Sequence, residues 1–140
     1  MNGYLLVRSQ GAPYGLPLDS VLEVADEPHV VPVPATGPAV RGVAEIRGKV
    51  VPVVNLHAIL RDDPPSGDFS GTVVLVVQAD AMIAIEVDDA EEVVRDPGLP
   101  VPTGRNLPWA SSIAEGRGEL VPIVNVSILG SRLMMTRGES

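Results

Sequence analysis

The sequence VAEIRGKVVPVVNL, at residues 43–56, decides the fold of this chain, because a close copy of it, IAEGRGELVPIVNV, follows at residues 113–126. Every position of the second copy lies 70 residues after its counterpart in the first. The copies share alanine, glutamate, arginine, glycine, proline and asparagine at matching positions, which the composition of valine-rich strands does not explain. Within each copy, two apolar runs flank an Arg-Gly pair, which is typical of two strands joined by a tight turn. The chain is therefore predicted to contain two copies of one strand-rich unit.

The repeat extends upstream of this stretch. Leu16–Asp19 corresponds to Ile85–Asp88 at an offset of 69 residues, and a one-residue change in loop length accounts for the difference. The 14 glycines and 14 prolines are spread along the chain, which favours short strands over long helices. We therefore predict an all-β fold with a short C-terminal helix at Ser127–Met135, capped by Ser127. Strands are expected at Tyr4–Ser9, Tyr14–Asp19, Val40–Ile46, Lys49–Leu56, Thr72–Gln78, Met82–Val87 and Glu119–Val126.

The size of the repeated unit predicts how the two copies are organised. A unit of roughly 60 residues is barely large enough to bury a core by itself, so the two units are expected to pack together as a single domain over residues 1–140. The first lobe is expected at about 5–61, a linker at 62–71, and the second lobe at about 72–130. The seam between two such lobes is a natural place for a binding groove.

Composition and charge exclude several classes of function. The chain has no cysteine, so no disulfide, thiol nucleophile or cysteine-ligated metal is possible. Its formal net charge is −8, which disfavours nucleic-acid binding because phosphate recognition requires a basic surface. No apolar stretch approaches the ~20 residues of a membrane span. We therefore expect a cytoplasmic protein with no direct membrane insertion.

The sequence contains no strong catalytic or metal-binding pattern. His29 and His57 are the only histidines, and neither has a nucleophile motif or a second ligand at a suitable spacing. We therefore predict a protein that is not an enzyme, with no catalytic residue, no cofactor and no metal.

One alternative rests on a cluster of acidic residues. In this alternative, the chain is a small-ligand-binding or hydrolytic β-barrel with an acidic site. Adjacent residues of a strand point to opposite faces, so these carboxylates are expected to be solvated rather than to converge. The acidic residues are Asp88, Asp89, Glu91 and Glu92.

The stretch VRGVAEIRGKVVPVVNL, at residues 40–56, resembles the signature of the CheW-like domain family. That pattern has an R/K-G-V segment, an asparagine–aliphatic–R-G turn and a V-P-V-V-D-L strand. Two further segments are similar to the family, YGLPLDSVLEV at residues 14–24 and IEVDDAEEV at residues 85–93. The resemblance covers the chain from Tyr4 to Leu129.

This resemblance implies an architecture and a role. The two lobes would be five-stranded SH3-like β-barrels packed side by side, without catalytic activity. The protein would be a chemotaxis adaptor that couples chemoreceptors to a CheA-type histidine kinase in a bacterial signalling array. The cytoplasmic helical tip of a methyl-accepting chemoreceptor would dock in the groove between the barrels. The regulatory domain of the kinase, which has the same fold, would alternate with the adaptor in rings. Self-association of the adaptor in rings is a further expectation.

The resemblance also implies a partner-binding surface. Arg47 is expected to be exposed at a hairpin turn, where arginine often serves as an interface anchor, and Arg117 is its weaker candidate counterpart. Gly48 is expected to adopt a positive φ angle at this turn. The residues assigned to the surface are Val21, Glu23, Val24, Arg41, Gly42, Val43, Arg47 and Gly48.

Two positions depart from the family pattern. Asn55 stands where the family usually has aspartate, and Ala44-Glu45 replaces the usual Ile/Thr-Asn pair. Asparagine keeps a side-chain acceptor, so a local turn at Asn55 is expected to survive. A glutamate beside Arg47 changes the local charge at this turn.

Overall fold

The computed structural model describes residues 3–34, 37–96, 98–101, 107–116 and 118–137, with side chains as far as Leu133. Strands dominate this part of the chain, and the predicted C-terminal helix is present. A second, six-residue α-helix, which was not predicted, lies at Leu56–Arg61. The elements are β1 (Tyr4–Ser9), β2 (Ala12–Pro17), a 3-10 turn (Leu18–Ser20), β3 (Val21–Asp26), β4 (Val30–Val31), β5 (Val40–Ile46), β6 (Lys49–Asn55), α1 (Leu56–Arg61), β7 (Thr72–Gln78), β8 (Ala81–Val87), β9 (Asp89–Val94), β10 (Ala110–Gly116), β11 (Glu119–Val124) and α2 (Val126–Arg137).

The strands form two sheets, and each sheet combines segments of both repeats. Sheet I has the strand order β10-β11-β2-β1-β9, and sheet II has the order β3-β7-β8-β6-β5-β4. In each sheet, the first hairpin of one repeat pairs with the later strands of the other. The parallel contact of Val53 with Ala84 in sheet II has its counterpart in the contact of Ile123 with Gly15 in sheet I. The two repeats therefore exchange their first hairpins reciprocally.

This exchange corrects the predicted boundaries of the two lobes. The expected lobes, 5–61 and 72–130, do not coincide with the sheets. Sheet I is built from residues 4–17 and 89–124, whereas sheet II is built from residues 21–87. The repeat identifies which segments are alike. It does not show which strands pair, because the paired strands are far apart in sequence and no local pattern specifies the partner.

One large hydrophobic core holds the two sheets and both helices together. A smaller cluster lies within each sheet, around Tyr4 and Leu6 in sheet I and around Val53 and Leu75 in sheet II. The two sheets therefore share their main buried interior. Members of the large core include Tyr14 and Leu16 of sheet I, Val74 and Ile85 of sheet II, Leu56 of α1 and Leu129 of α2.

The interiors of the two sheets are filled by different combinations of side chains. In sheet I, Tyr4 is fully buried, and a Cβ atom at Gly116 would lie 3.2 Å from its hydroxyl oxygen. In sheet II, the equivalent positions hold Val73 and Ile46, which share a cluster. A large residue and glycine in one sheet thus replace two medium-sized residues in the other, which explains why Gly116 breaks the repeat.

The conserved asparagine of the two copies caps the helix that follows in each case. The Oδ1 atom of Asn55 accepts a hydrogen bond from the backbone N–H of Ala58 at 2.9 Å. Asn125 accepts from the backbone N–H of Ser127 at 3.2 Å. The prediction of Ser127 as the cap was therefore wrong by two residues, whereas the turn expected at Asn55 is present.

Candidate functional site

The predicted partner-binding residues lie on three segments of sheet II. Val21, Glu23 and Val24 belong to β3, and Arg41–Val43 belong to β5. Arg47-Gly48 forms the turn between β5 and β6. Strands β3 and β5 are separated by three other strands in the sheet order, so the sheet must curl for their side chains to meet.

An exposed ion pair joins two of these segments. The guanidinium Nε of Arg47 donates a hydrogen bond to the carboxylate of Glu23. The Arg47 side chain is 64% exposed and that of Glu23 is 32% exposed. The pair therefore lies at the surface where the edge strand β3 meets the β5–β6 turn.

The geometry of this turn fixes the position of Arg47. Arg47 has a φ angle of +55° and Gly48 a φ angle of +76°. Two successive positive φ angles are the requirement of a type I′ hairpin turn, whose twist matches that of the flanking strands. The prediction of a positive φ at Gly48 is confirmed, and Arg47 itself occupies the preceding left-handed position.

The residues of β3 divide between two faces of the strand. Val21 is partly buried against the large core, together with Ala90, which occupies the equivalent position in the second repeat. Leu22 and Val24 are 51% and 43% exposed and alternate with Glu23. Val24 therefore does not share a face with Glu23. Leu22, which is more exposed than Val24, was missed by the sequence analysis.

Arg41 belongs to a buried network instead of the exposed surface. Its Nε atom lies 2.7 Å from Oε1 of Glu86, and the two side chains are 17% and 2% exposed. Glu86 also accepts hydrogen bonds from the side chain of Asn55 at 3.1 Å and from the backbone N–H of Ser70 at 2.7 Å. The network connects β5, β6, β8 and the linker. The structure therefore does not bring Arg41 together with Arg47.

Gly42 and Val43 position strand β4. Gly42 has a φ angle of +149°, and a Cβ atom there would overlap the carbonyl oxygen of Val31. Val43 pairs with Val31 and lines a cavity of about 220 Å³ that is also lined by Val50. Val50 is 72% exposed. Gly42 thus acts through the backbone, by allowing the close approach of β4.

Exposed apolar side chains recur at equivalent positions of the two repeats. Single exposed apolar residues are normal at protein surfaces, but here the same positions are exposed in both halves. Each sheet thus presents a related set of apolar contacts. The equivalent pairs are Val24 and Val93, Val31 and Leu99, and Val50 and Leu120. Arg117, the counterpart of Arg47, lies outside the described residues.

Two of the four acidic residues of the alternative hypothesis, Asp88 and Glu91, make structural contacts. Asp88 accepts a hydrogen bond from the backbone N–H of Gly11 at 3.0 Å. Glu91 pairs with Arg8 at 3.2 Å, and Arg8 also pairs with Glu119 at 2.7 Å. These hydrogen bonds to two carboxylates raise the pKa of Arg8 above its usual value. Within the described part of the chain, no group of three or more potential ligands could hold a metal ion.

His57 is part of a packed cluster between helix α1 and sheet I. Its Nδ1 atom lies 2.5 Å from the hydroxyl oxygen of Tyr14, and its backbone N–H donates to Ser9. Burial, reinforced by the nearby charge of Arg61, lowers the pKa of His57. Burial also raises the pKa of Tyr14. Both groups are therefore held in their neutral forms near neutral pH.

Comparison with known proteins identifies the architecture. The family model of the CheW-like domain matches residues 3–133. The crystal structure of the scaffolding protein TtCheW from Thermoanaerobacter tengcongensis matches with a TM-score of 0.79 over 91% of each chain, at 20% sequence identity. This likeness confirms the predicted fold of two SH3-like barrels, although sheet II has six strands where five were expected. No curated protein sequence matches the chain. Among the described residues, no helix has the length and apolar character needed to cross a membrane.

Proposed function

The chain belongs to the CheW-like domain family, and on this basis we propose that it is a cytoplasmic, non-enzymatic adaptor that couples a chemoreceptor to a CheA-type histidine kinase. The observation that carries the proposal is the exposed ion pair between Arg47 and Glu23. It lies on the surface to which the family resemblance assigns partner contacts.

The energetics of this ion pair favour a role in recognition over a role in stability. An exposed ion pair contributes about 0–1 kcal/mol to folding, because water screens the charges and two side chains lose freedom. Arg47 can therefore exchange its partner at little cost to the fold. Arginine is enriched among the residues that dominate binding energy at interfaces. We assign Arg47 and Glu23 to the contact with the regulatory domain of the kinase.

The receptor contact is assigned to the seam between the two barrels. Val21 and Ala90 occupy equivalent positions of the repeats, and both lie partly buried against the shared core. An apolar seam of this kind suits the helical tip of a receptor, since amphipathic helices bind in apolar grooves.

Assembly into rings requires two different contact surfaces on each molecule. A contact between two unlike surfaces can be repeated until the assembly closes into a ring. The exposed apolar residues at equivalent positions of the repeats, such as Val50 and Leu120, supply one candidate surface on each barrel. We propose that these surfaces join the adaptor to kinase regulatory domains, or to further copies of itself.

The proposal is tested by binding to both partners. The full chain is mixed with a cytoplasmic receptor fragment and, separately, with the kinase regulatory domain, and the bound fraction is measured by co-sedimentation and by isothermal titration calorimetry. Saturable binding to both partners is expected, with a change in kinase activity when all three are present. Absence of binding to either partner, together with unchanged kinase activity, would contradict the adaptor function.

A further inference from the structure

A cavity of about 450 Å³ lies between helix α2 and the tip of the hairpin formed by β7 and β8. We refer to it as the α2 niche. No charged side chain is among its described lining residues. Its apolar walls include Met82, Ile83 and Leu133, and its polar lining residues are Gln78, Ser127 and Ser131.

The internal repeat provides a reference for this cavity, because the equivalent place in the other half of the molecule is filled. That place lies between α1 and the hairpin formed by β1 and β2. At four equivalent positions the first half has a larger or cationic side chain, whereas Gln78 of the niche is larger than its counterpart Ser9. Tyr14 is equivalent to Ile83, His57 to Ser127, Leu60 to Gly130 and Arg61 to Ser131.

The filled position shows what kind of group this framework holds. The Tyr14 hydroxyl contacts Nδ1 of His57 at 2.5 Å, and Arg61 lies 3.4 Å from the same hydroxyl oxygen. The Tyr14 ring packs against Trp109 with ring centroids 5.6 Å apart. An aromatic ring with a hydrogen-bonded polar tip therefore occupies the helix–hairpin junction in the first half.

We propose that the α2 niche is a docking pocket for an aromatic side chain with a polar tip, a tyrosine, presented by a partner protein. Its volume exceeds the ~150 Å³ of an apolar cavity that holds benzene. The ring would lie against Ile83 and Leu133, with the sulfur of Met82 at its edge, a favourable contact for aromatic rings. Gln78 and Ser127 offer uncharged hydrogen-bonding groups to the hydroxyl.

A second copy of this chain does not provide the occupant. The chain has two tyrosines, one tryptophan and one phenylalanine. Tyr4, Tyr14 and Trp109 are at most 2% exposed, and Phe69 packs partly buried against the core of sheet II. A different protein must therefore supply the ring. This docking contact is separate from the surface around Arg47, so it goes beyond the proposed adaptor function.

The test uses N-acetyl-L-tyrosinamide as a probe of the pocket, with N-acetyl-L-leucinamide as the aliphatic comparison. Methyl NMR spectra of the full chain are recorded during titration with each compound. Saturable shifts at Met82, Ile83 and Leu133 are expected, with a millimolar dissociation constant for the tyrosine derivative and at least fivefold weaker binding of the leucine derivative. Equal binding of both compounds, or shifts spread over unrelated methyl groups, would overturn the proposal.

A variant that fills the niche separates this pocket from other surfaces. The double substitution Ser127→His and Gly130→Leu reproduces two residues of α1 and should abolish the tyrosine-derived shifts. A Cβ atom at Gly130 would lie 3.3 Å from the side-chain oxygen of Gln78. If this crowding prevents the double variant from folding, the single variant Ser127→His is used instead, and it is expected to bind the tyrosine derivative at least fivefold more weakly than the wild type does. Glu115→Gln, which changes an exposed residue of β10 outside the niche, is the control and should bind as the wild type does. Undiminished binding by a folded, niche-filled variant would overturn the proposal.

Discussion

The side-chain amide of Asn55 donates a hydrogen bond to the buried carboxylate of Glu86 at 3.1 Å, while its carbonyl oxygen caps helix α1. Asparagine provides both a donor and an acceptor, whereas the aspartate usual in the family at this position would provide only acceptors. The departure of Asn55 from the family pattern is therefore matched to Glu86 within this chain.

This relationship predicts the effect of Asn55→Asp. The new carboxylate would still cap α1 but would face the buried Glu86 without a donor between them. We expect a loss of about 2 kcal/mol in the free energy of unfolding at pH 7, since a lost buried hydrogen bond to a charged group costs about that much. Urea denaturation of the wild type and of Asn55→Asp measures this difference in the free energy of unfolding.

Asn125→Asp is the matched control, because Asn125 caps α2 from an exposed position. Aspartate and asparagine are equally good caps, so this variant is expected to change the stability by less than about 0.5 kcal/mol. Equal losses from the two substitutions would contradict the assigned role of Glu86.

The packing of Tyr4 over Gly116 predicts a strong coupling between these positions. Tyr4→Val leaves a cavity, at a cost of about 3 kcal/mol, and Gly116→Ile overfills the same space, at a cost of about 1–3 kcal/mol. The double variant reproduces the valine–isoleucine combination of sheet II. A double-mutant cycle by urea denaturation is expected to give a loss at least 1 kcal/mol smaller than the sum of the single losses.

The control cycle combines Tyr4→Val with Leu120→Ala, which is exposed on sheet I. These two changes are expected to be additive within about 0.5 kcal/mol. If the stability losses of the Tyr4 and Gly116 substitutions were also additive, the packing of Tyr4 would not explain why this position of the second repeat is glycine.

The lowered pKa of His57 predicts a loss of stability in mild acid. The unfolded chain binds the proton at a higher pH than the folded chain does, so protonation stabilises the unfolded state first. The contribution of neutral His57 to the free energy of unfolding is fully present above the ordinary histidine pKa of about 6.5 and is lost as the pH falls towards the lower pKa of the folded state. Unfolding free energies measured between pH 7.5 and pH 5 should therefore fall less for His57→Gln than for the wild type.

His29→Gln is the control for this prediction, because His29 is exposed. Its pH profile is expected to follow that of the wild type. A profile of His57→Gln that also follows the wild type would show that protonation of His57 is not linked to folding.

Most strands of this fold could be predicted from the sequence, but β3, β4 and β9 were not. Val40–Ile46 and Thr72–Gln78 have the predicted bounds, because β-branched runs bordered by turn residues are local signals. The positive φ of Gly48 follows from the same local chemistry. The exchange of hairpins between the repeats could not be predicted, since the pairing of Val24 with Val74 joins distant segments whose local sequences allow either arrangement.

The surface was predicted less well than the strands. The pairing of Arg47 with Glu23 depends on how sheet II curls, and the burial of Arg41 depends on Glu86, which is 45 residues away. A signal for the latter was present, because Glu86 is a single charged residue within the apolar run Ile83–Val87. Buried charges are rarely unpaired, so that pattern indicates a basic partner, although it does not identify Arg41.

The central claim, that Arg47 is a contact to the kinase, is tested most directly by the affinity of the kinase regulatory domain for Arg47→Glu and for the charge-swapped variant Glu23→Arg/Arg47→Glu. Isothermal titration calorimetry is expected to give at least tenfold weaker binding for both variants, or about 1.4 kcal/mol. Their melting temperatures should stay within about 2 °C of the wild type, because an exposed ion pair adds little stability. Wild-type affinity of Arg47→Glu, loss of its fold, or full recovery of binding by the charge swap would contradict the claim.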